Sequence, residues 1–313
     1  MIPFVRDMAF EYGRAEAVTP RVRRLVAANA GPFTHTGTGV YIIGEGEVAV
    51  IDPGPDHDGH REALWHALEG ERVSHVFVTH HHLDHSPLAR PLADAHGCQV
   101  YGYGVQVRTP VGGEVRMEAG DDLSFRPDVE IRDGDTFFGE GWTIEAVHTP
   151  GHTSNHMCFA LKDENILFCG DHVMAWSTSV ISPPDGDMGD YLASLEKVRD
   201  MGFDTLWPTH GPAVREPAAF IDAYIAHRRA RESQILDQLA RGRGRIRDMI
   251  PELYAGVEKR LHPAAAHSVL AHILHLVRTG AVTCEGEPQL HTDYRLAAGA
   301  ETAAGGQEAD TSR

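Results

Sequence analysis

An apolar segment that runs directly into a dense histidine cluster is the feature that most constrains the fold of this chain. Residues 73–79 have the β-branched composition of a buried strand. The cluster that follows reads His80-His81-His82-Leu83-Asp84-His85. His80 and His82 are two residues apart and can face one point from an extended loop, whereas Asp84 and His85 can face a second point nearby. Imidazoles this close would repel one another once protonated, which favours a metal site over a solvated turn.

Three further candidate ligands lie just beyond other apolar, strand-like segments. They are His152 in Thr-Pro-Gly-His, Asp171 in Cys-Gly-Asp-His, and His210 in Pro-Thr-His-Gly. Open α/β sheets gather their site residues at strand ends, so these side chains are expected to meet the histidine cluster. Nitrogen and carboxylate ligands without thiolate suit Zn²⁺, with Mn²⁺ or Fe²⁺ as alternatives. The set is large enough for two ions per chain, and His81, the in-between histidine, is expected to point elsewhere.

The first 220 residues alternate between strand-like and helix-like segments, which predicts an α/β fold. The expected strands are at 40–44, 47–52, 73–79, 142–148, 165–169 and 205–207, with helices at 59–68 and 190–198. Ser86 followed by Pro87 predicts the N-cap and first residue of another helix. Residues 102–135 are rich in Gly, Arg and Asp, and we expect loops and irregular strands there.

The composition changes after residue 217, which predicts a second domain. Long amphipathic helices are expected at 218–239, 246–255 and 263–279, followed by a small two-stranded wing within 281–296. The last residues are rich in Ala, Gly and Glu and predict a disordered tail. We therefore predict a catalytic domain at 1–216, a helical domain at 217–296 and a tail at 297–313.

The charge of the chain argues against a protein whose main role is binding nucleic acid non-specifically. Lys and Arg number 28 against 45 Asp and Glu, a formal net charge of −17, whereas such binding depends on cations that neutralise phosphates. No apolar run approaches the roughly 18 residues of a membrane span, and the N-terminus lacks a secretory pattern. We expect a cytoplasmic protein that contacts no membrane, and the sequence leaves its oligomeric state open.

Five short motifs in this order resemble those of the metallo-β-lactamase-fold hydrolases, over roughly residues 30–215. The motifs are Ile51-Asp52-Pro53-Gly54, the His80–His85 cluster, Gly151-His152, Gly170-Asp171 and Thr209-His210-Gly211. The resemblance implies a four-layer αββα sandwich. It also implies that His80, His82 and His152 hold a first metal ion and that Asp84, His85 and His210 hold a second. Asp171 would lie between the two ions.

The resemblance also assigns supporting roles. Asp52 would hold the ligand-bearing loops without binding metal. From its position next to both metal sites, and not from the resemblance, Asp84 is the candidate catalytic residue that orients the attacking water or accepts its proton. His156 and His172, which adjoin ligand motifs, are expected to support the loops. All seven candidate ligands are present in this chain, which disfavours a binding protein on an inactive hydrolase scaffold.

Over its whole length the chain is similar to the β-lactamase-like protein 2 group, which adds a winged-helix-like domain to a hydrolase with glyoxalase II-type metal motifs. Some members cleave single-stranded RNA. The first hypothesis is a binuclear hydrolase in which a metal-bridging hydroxide attacks the carbonyl of a small ester, thioester or lactone. The alternative is a metal-dependent endoribonuclease that holds single-stranded RNA with the arginines at 241, 243, 245 and 247.

Overall fold

The chain folds around two β-sheets that face each other. The computed structural model describes residues 1–104 and 120–298. In these ranges the first sheet has seven strands in the order β1 to β7. The strands are β1 Glu16–Thr19, β2 Val22–Val26, β3 Gly39–Glu45, β4 Glu47–Ile51, β5 Arg72–Phe77, β6 Gln99–Gly102 and β7 Val129–Glu130. Strands β1 to β4 pair antiparallel, whereas β4 to β7 pair parallel.

The second sheet has the order β12-β11-β10-β9-β8 within the described ranges. Its strands are β8 Thr136–Gly139, β9 Trp142–His148, β10 Met157–Leu161, β11 Ile166–Gly170 and β12 Thr205–Pro208. The pair β11–β12 is parallel and the other pairs are antiparallel. Both sheets therefore contain parallel neighbours whose C-terminal ends point in the same direction.

Side-chain alternation along the strands explains why the two sheets stack. In β3, Tyr41 and Ile43 face the second sheet and pack in one core with Phe159, whereas Val40 and Ile42 face the opposite side. That opposite side is covered by two helices, α1 Asp58–Ala67 and α2 Ala89–His96. A strand with both faces covered reads as a continuous apolar run, as the sequence does here.

The outer face of the second sheet is covered in the same way. Helices α3 Met188–Met201 and α4 Pro217–Ala240 place Tyr191, Leu195 and Ile221 in a core with Ala160 and Leu167 of the sheet. Two helical layers thus enclose two sheets. The four-layer αββα sandwich expected from the sequence is confirmed.

The remaining elements build a smaller core at the C-terminus. They are α5 Ile246–Leu253, α6 His262–Arg278, β13 Val282–Cys284 and β14 Tyr294–Leu296, with β13 and β14 paired antiparallel. Ile235 and Leu239 of α4 belong to this core, whereas Ile221 belongs to the sandwich. Helix α4 therefore connects both cores. The helices and the small wing agree with the sequence analysis, while the domain boundary at 216/217 stays a prediction.

Some local predictions were wrong or incomplete. Ser86 does not cap a helix, because its hydroxyl donates to the His82 carbonyl and to Asp122, and α2 begins three residues later at Ala89. The sequence analysis also missed β1, β2, β6, β8 and β10. Much of the predicted loop at 102–135 and nearly all of the predicted tail at 297–313 lie outside the described residues. None of the helices described is both long and apolar enough to cross a membrane.

Candidate metal centre

The candidate ligands lie on loops that follow the C-terminal ends of strands. The His80–His85 loop follows β5, and the loop with His152 connects β9 to β10. Asp171 comes directly after β11, and His210 lies two residues beyond β12. Because these strand ends meet between the two sheets at one edge of the sandwich, seven side chains distant in sequence converge.

The first predicted triad forms one tight group. Ligand atoms of His80, His82 and His152 all lie within 4.8 Å of one another. His82 Nδ1 lies 2.9 Å from His80 Nε2 and 3.3 Å from His152 Nε2. All three side chains are buried. Three nitrogen atoms therefore face one small volume from which water is largely excluded.

The second predicted triad forms a neighbouring group with a different donor set. Ligand atoms of Asp84, His85 and His210 lie within 4.8 Å of one another. His210 Nε2 is 3.1 Å from Asp84 Oδ2, and His85 Nε2 is 3.5 Å from Asp84 Oδ1. This group supplies two nitrogens and a carboxylate.

Asp171 lies between the two groups. Its Oδ2 is 3.8 Å from Nε2 of His152 in the first group, and 3.7 and 3.5 Å from Nε2 of His85 and His210 in the second. One oxygen atom thus faces both triads. This is the arrangement that a carboxylate shared between two ions requires.

Contacts of the Nδ1 atoms with groups outside the two triads orient the imidazoles. Nδ1 of His85 lies 2.9 Å from Asp52 Oδ2, Nδ1 of His152 lies 2.7 Å from the Val180 carbonyl oxygen, and Nδ1 of His210 lies 3.1 Å from the Gly37 carbonyl oxygen. A carbonyl oxygen can accept a hydrogen bond only from a nitrogen that carries a proton. The Nδ1–H tautomer is therefore favoured in His152 and His210. The Nε2 lone pairs then face the interior of the site, as in metal-binding histidines.

Asp52 joins the ligand-bearing loops from behind. Its carboxylate accepts hydrogen bonds from the Thr79 backbone N–H at 2.7 Å, from the Thr79 hydroxyl at 2.7 Å and from the Thr209 hydroxyl at 3.0 Å. The Thr79 hydroxyl then accepts from Nδ1 of His80, 3.0 Å away. Sequence analysis missed both threonines, although the dipeptide Thr-His at 79–80 and at 209–210 is a signal that could have found them.

Burial and neighbouring charges shift the pKa values in opposite directions for the histidines of the two groups. The pKa of His80 is held well below its ordinary value by burial and by the neighbouring imidazoles, so this ring stays neutral. Burial would also lower the pKa of His210, but the Asp171 and Asp84 carboxylates raise it to about 10. Burial raises the pKa of Asp84, yet His85 and His210 bring it down to about 2. The second group is therefore an ion-pair network, and a bound cation would replace its protons.

The donor set fits divalent metal ions. His85 Nε2 and Asp171 Oδ1 are buried polar atoms without a hydrogen-bond partner among the described residues, which is costly unless a ligand completes them. Five imidazoles and two carboxylates without a thiolate match Zn²⁺, Mn²⁺ or Fe²⁺. The assignment of these seven residues as ligands stays a prediction.

Histidines near the groups contact the loops instead. His81 points away from both triads, with Nδ1 2.8 Å from Asn155 Oδ1. His156 accepts a hydrogen bond from the Asp171 backbone N–H at 3.1 Å, so it positions that carboxylate. His172 packs edge-on against the Tyr191 ring.

Comparison with known proteins decides the family. Residues 35–210 match the metallo-beta-lactamase superfamily. The chain belongs to this superfamily. Residues 246–289 match the beta-lactamase associated winged helix domain, which agrees with the helices and strand pair of the C-terminal core. Membership makes the chain a metal-dependent hydrolase, although the metal itself is not identified.

Two relatives of this superfamily member cover most of its length. The beta-lactamase-like protein 2 homolog of Drosophila melanogaster is 32% identical over 278 residues, which is 84% of this chain and 90% of the relative. The atrochrysone carboxyl ACP thioesterase AgnL7 of Paecilomyces divaricatus is 34% identical over 241 residues, 74% of this chain and 69% of the relative. The resemblance to the first group is confirmed.

A solved structure shows the same fold over nearly the whole chain. The beta-lactamase domain protein from Burkholderia ambifaria superposes with a TM-score of 0.75 at 20% identity, covering 95% of this chain and 97% of that one. The shared fold includes the C-terminal elements, so the arrangement of sandwich and C-terminal helices recurs outside this chain.

Proposed function

We propose that this chain hydrolyses a thioester or ester of a small acyl group at a binuclear zinc centre held by the seven converging residues. The observation that carries the proposal is the position of Asp171 Oδ2, which faces both ligand groups within 3.8 Å. The thioesterase relative supports the carbonyl substrate. In this proposal His80, His82 and His152 hold one ion, and Asp84, His85 and His210 hold the other.

The chain's own residues have separable tasks in this reaction. When bound, two divalent cations supply a water with its pKa lowered towards about 7 and stabilise negative charge on the carbonyl oxygen. Asp84 carries a carboxylate that is ionised at neutral pH, and we assign it the orientation of the attacking water and the acceptance of its proton. Asp52 keeps His80 and His85 in the tautomers that present lone pairs to the site.

The arginine-rich loop gives little support to the RNA alternative. Arg241 and Arg243 both pair with Glu252, Arg245 lies 3.6 Å from Asp293, and Arg247 lies 3.5 Å from Asp248. Each cation of the predicted RNA grip therefore already has a carboxylate neighbour, which reduces its attraction for phosphate. In a chain with a net charge of −17, we favour the small substrate.

A metal-defined activity panel tests the proposal. The protein is loaded with Zn²⁺, Mn²⁺ or Fe²⁺ and assayed against a thioester, a lactone, a β-lactam and single-stranded RNA. We expect hydrolysis of the thioester or a related ester that stops on chelation and returns with metal. Cleavage of RNA at physiological salt without activity on any carbonyl substrate would overturn the proposal. Replacing the four arginines with alanine then serves as the control, since only RNA cleavage should respond.

A further inference from the structure

A cavity of about 220 Å³ lies between the sandwich and the C-terminal helices. One wall is the segment 174–180 that follows Asp171, and the opposite wall comes from α4 and α6. Val180 belongs to the first wall, and its carbonyl oxygen contacts Nδ1 of His152 at 2.7 Å. One residue of the cavity wall is therefore in direct contact with a candidate metal ligand.

About half of the residues that line the cavity are apolar. Phe33, Met174, Trp176, Leu261 and Ala264 are among the residues that line it. A cavity of about 150 Å³ holds a benzene molecule, so this one has room for a six-membered ring or a short acyl chain with a small substituent. Its size and lining fit the acyl part of a small substrate.

The polar part of the lining includes two arginines, beside His227 and His272. Arg228 is only 4% exposed, its guanidinium lies over the Tyr191 ring, and it donates to the Ser179 carbonyl. Arg231 lies over the Tyr254 ring, 4.3 Å from its centroid. Neither makes an ion pair with a carboxylate of the described residues. By contrast, Arg229 on the same helix pairs with Glu196 at the surface.

The cavity lacks the groups that would balance these cations. No Asp or Glu of the described chain lines it, although the protein has 45 acidic residues. Arg228 Nε and Trp176 Nε1 are buried donors without a hydrogen-bond partner in the described residues. A buried cation without a counter-ion and donors without acceptors are costly, and an oxyanion in the cavity would satisfy both.

We propose that this cavity binds the acyl group of the substrate and that Arg228 and Arg231 recognise a carboxylate carried by that group. The inference rests on the proposed function and narrows it to thioesters or esters of apolar, ring-sized acids that bear a second acid group. A phosphate of the substrate's carrier arm offers similar chemistry. The apolar part of the wall favours a carboxylate on a hydrophobic acyl group over a phosphate on a polar arm.

Calorimetric titration of the full-length, metal-loaded protein tests this recognition. The probes are 4-phenylbutanoate, its uncharged amide, and pantetheine 4′-phosphate. We expect the acid to bind at least tenfold more tightly than the amide. Arg231→Gln, and Arg228→Gln where it folds, should weaken acid binding about tenfold and leave amide binding unchanged. Arg229→Gln is the matched control and should bind the acid like the original chain.

Three results would overturn the inference. They are equal affinity for acid and amide, acid binding that does not respond to Arg231→Gln, and Arg231-dependent binding of pantetheine 4′-phosphate without binding of the acid. The second result also identifies acid held directly by the metal ions. Failure of the proposed function is distinguishable, because a chain that cleaves none of the carbonyl substrates can still show Arg231-dependent binding of the acid.

Discussion

The buried carboxylate of Asp52 shows how much a single side chain contributes to this site. It has a backbone φ of 49°, a conformation that costs most residues energy. Its carboxylate contacts Thr79, His85 and Thr209, which lie on two loops that follow strands of different sheets. Because Thr79 and Thr209 lie beside candidate ligands and His85 is one itself, Asp52 couples the geometry of the two candidate ligand groups while remaining outside both.

Replacing Asp84 with alanine should abolish turnover and leave the fold largely intact. Its carboxylate lies 3.1 Å from His210 Nε2 and 3.5 Å from His85 Nε2, but it sits on a loop and not in a core. We expect the rate to fall by at least about 100-fold, since even indirect partners of metal ligands account for 10–100-fold. Steady-state kinetics measure the loss, and Asp94→Ala, at an exposed position of α2, is the control. Wild-type turnover by folded Asp84→Ala protein would contradict the role.

A methyl group at Gly170 should disturb the site through close contact. A Cβ there would lie 2.5 Å from His156 Nε2 and 3.1 Å from the Thr79 Cβ, at a φ of 52°. We expect Gly170→Ala to lower the free energy of unfolding by about 2–4 kcal/mol, the sum of overpacking and backbone strain, and to reduce metal affinity.

The variant Gly202→Ala separates the two causes of the destabilisation expected for Gly170→Ala, which are close contact and backbone strain. Its φ is 72° but nothing lies within 4 Å of the added Cβ, so it should cost only about 1–2 kcal/mol. Urea denaturation of both variants measures the difference. Equal destabilisation would show that the contact with His156 is unimportant.

At the scale of elements, α3 and α6 are joined through one helix cap. Asp187 caps α3 by accepting from the Gly189 and Asp190 N–H groups, both at 2.9 Å. The same carboxylate pairs with both terminal nitrogens of Arg278 in α6, at 2.7 and 2.8 Å. Since its backbone N–H also donates to the Gly151 carbonyl, this cap positions the His152 loop and the C-terminal helices together.

The stabilising effect of Asp187 should disappear in acid. Burial raises the pKa of Asp187, but Arg278 and the helix N–H groups lower it more, to a net value below the ordinary one. A carboxyl whose pKa is lower in the folded state stabilises above its unfolded pKa, about 3.9, and loses this effect as the pH falls through the folded value.

Asn still caps the helix but loses the charge that Arg278 and the helix N–H groups bind, so Asp187→Asn should lower the free energy of unfolding by about 1 kcal/mol at neutral pH and by progressively less below about pH 4. Urea denaturation of metal-free protein across this range measures the difference between variant and original chain. Arg278→Met keeps the charged Asp187 cap and removes only the ion pair. It should therefore lower the free energy of unfolding by less than Asp187→Asn does at neutral pH. If the destabilisation by Asp187→Asn did not change with pH, the ionised Asp187 carboxylate would not be the stabilising group.

At the scale of the whole molecule, the two candidate ligand groups lie where the two sheets meet, and no single layer contains them. His80 and His85 follow a strand of the first sheet, whereas Asp171 and His210 follow strands of the second. Metal binding should therefore hold the two halves of the sandwich together. Helix α4 extends this connection, because its side chains pack in both the sandwich and the C-terminal core.

Protein purified without chelator should contain about two equivalents of transition metal per chain. We expect one equivalent in His82→Ala and in His210→Ala, and less than one in Asp171→Ala, because Asp171 faces both groups. Chelation should lower the free energy of unfolding by about 4 kcal/mol, if the free metal concentration before chelation is about 1,000 times the dissociation constant of the metal. Elemental analysis and thermal denaturation measure both effects. Absence of metal after reconstitution with Zn²⁺ or Mn²⁺ would contradict the site assignment.

Local pattern was enough to predict much of the fold. The apolar runs at 40–44 and 47–52 and the periodic segment at 263–279 correspond to β3, β4 and α6, because alternation and helical spacing are properties of neighbouring residues. Short strands such as β10, Met157–Leu161, were missed. Residues 157–161 include no β-branched side chain, so this segment lacks the composition that distinguishes a buried strand from other apolar segments.

The sequence by itself determined which side chains follow strand ends, and therefore which histidines and aspartates the structure brings together at residues 80–85, 152, 171 and 210. Only the tertiary structure decided their partners. Thr209 reaches Asp52 across 157 residues, and Arg228 meets Ser179 across 49. The physical reason is the distance along the chain between interacting residues. Strand and helix patterns arise from residues that are close in sequence. A counter-ion, a donor without an acceptor or a cavity wall depends on contacts that exist only once the layers have packed.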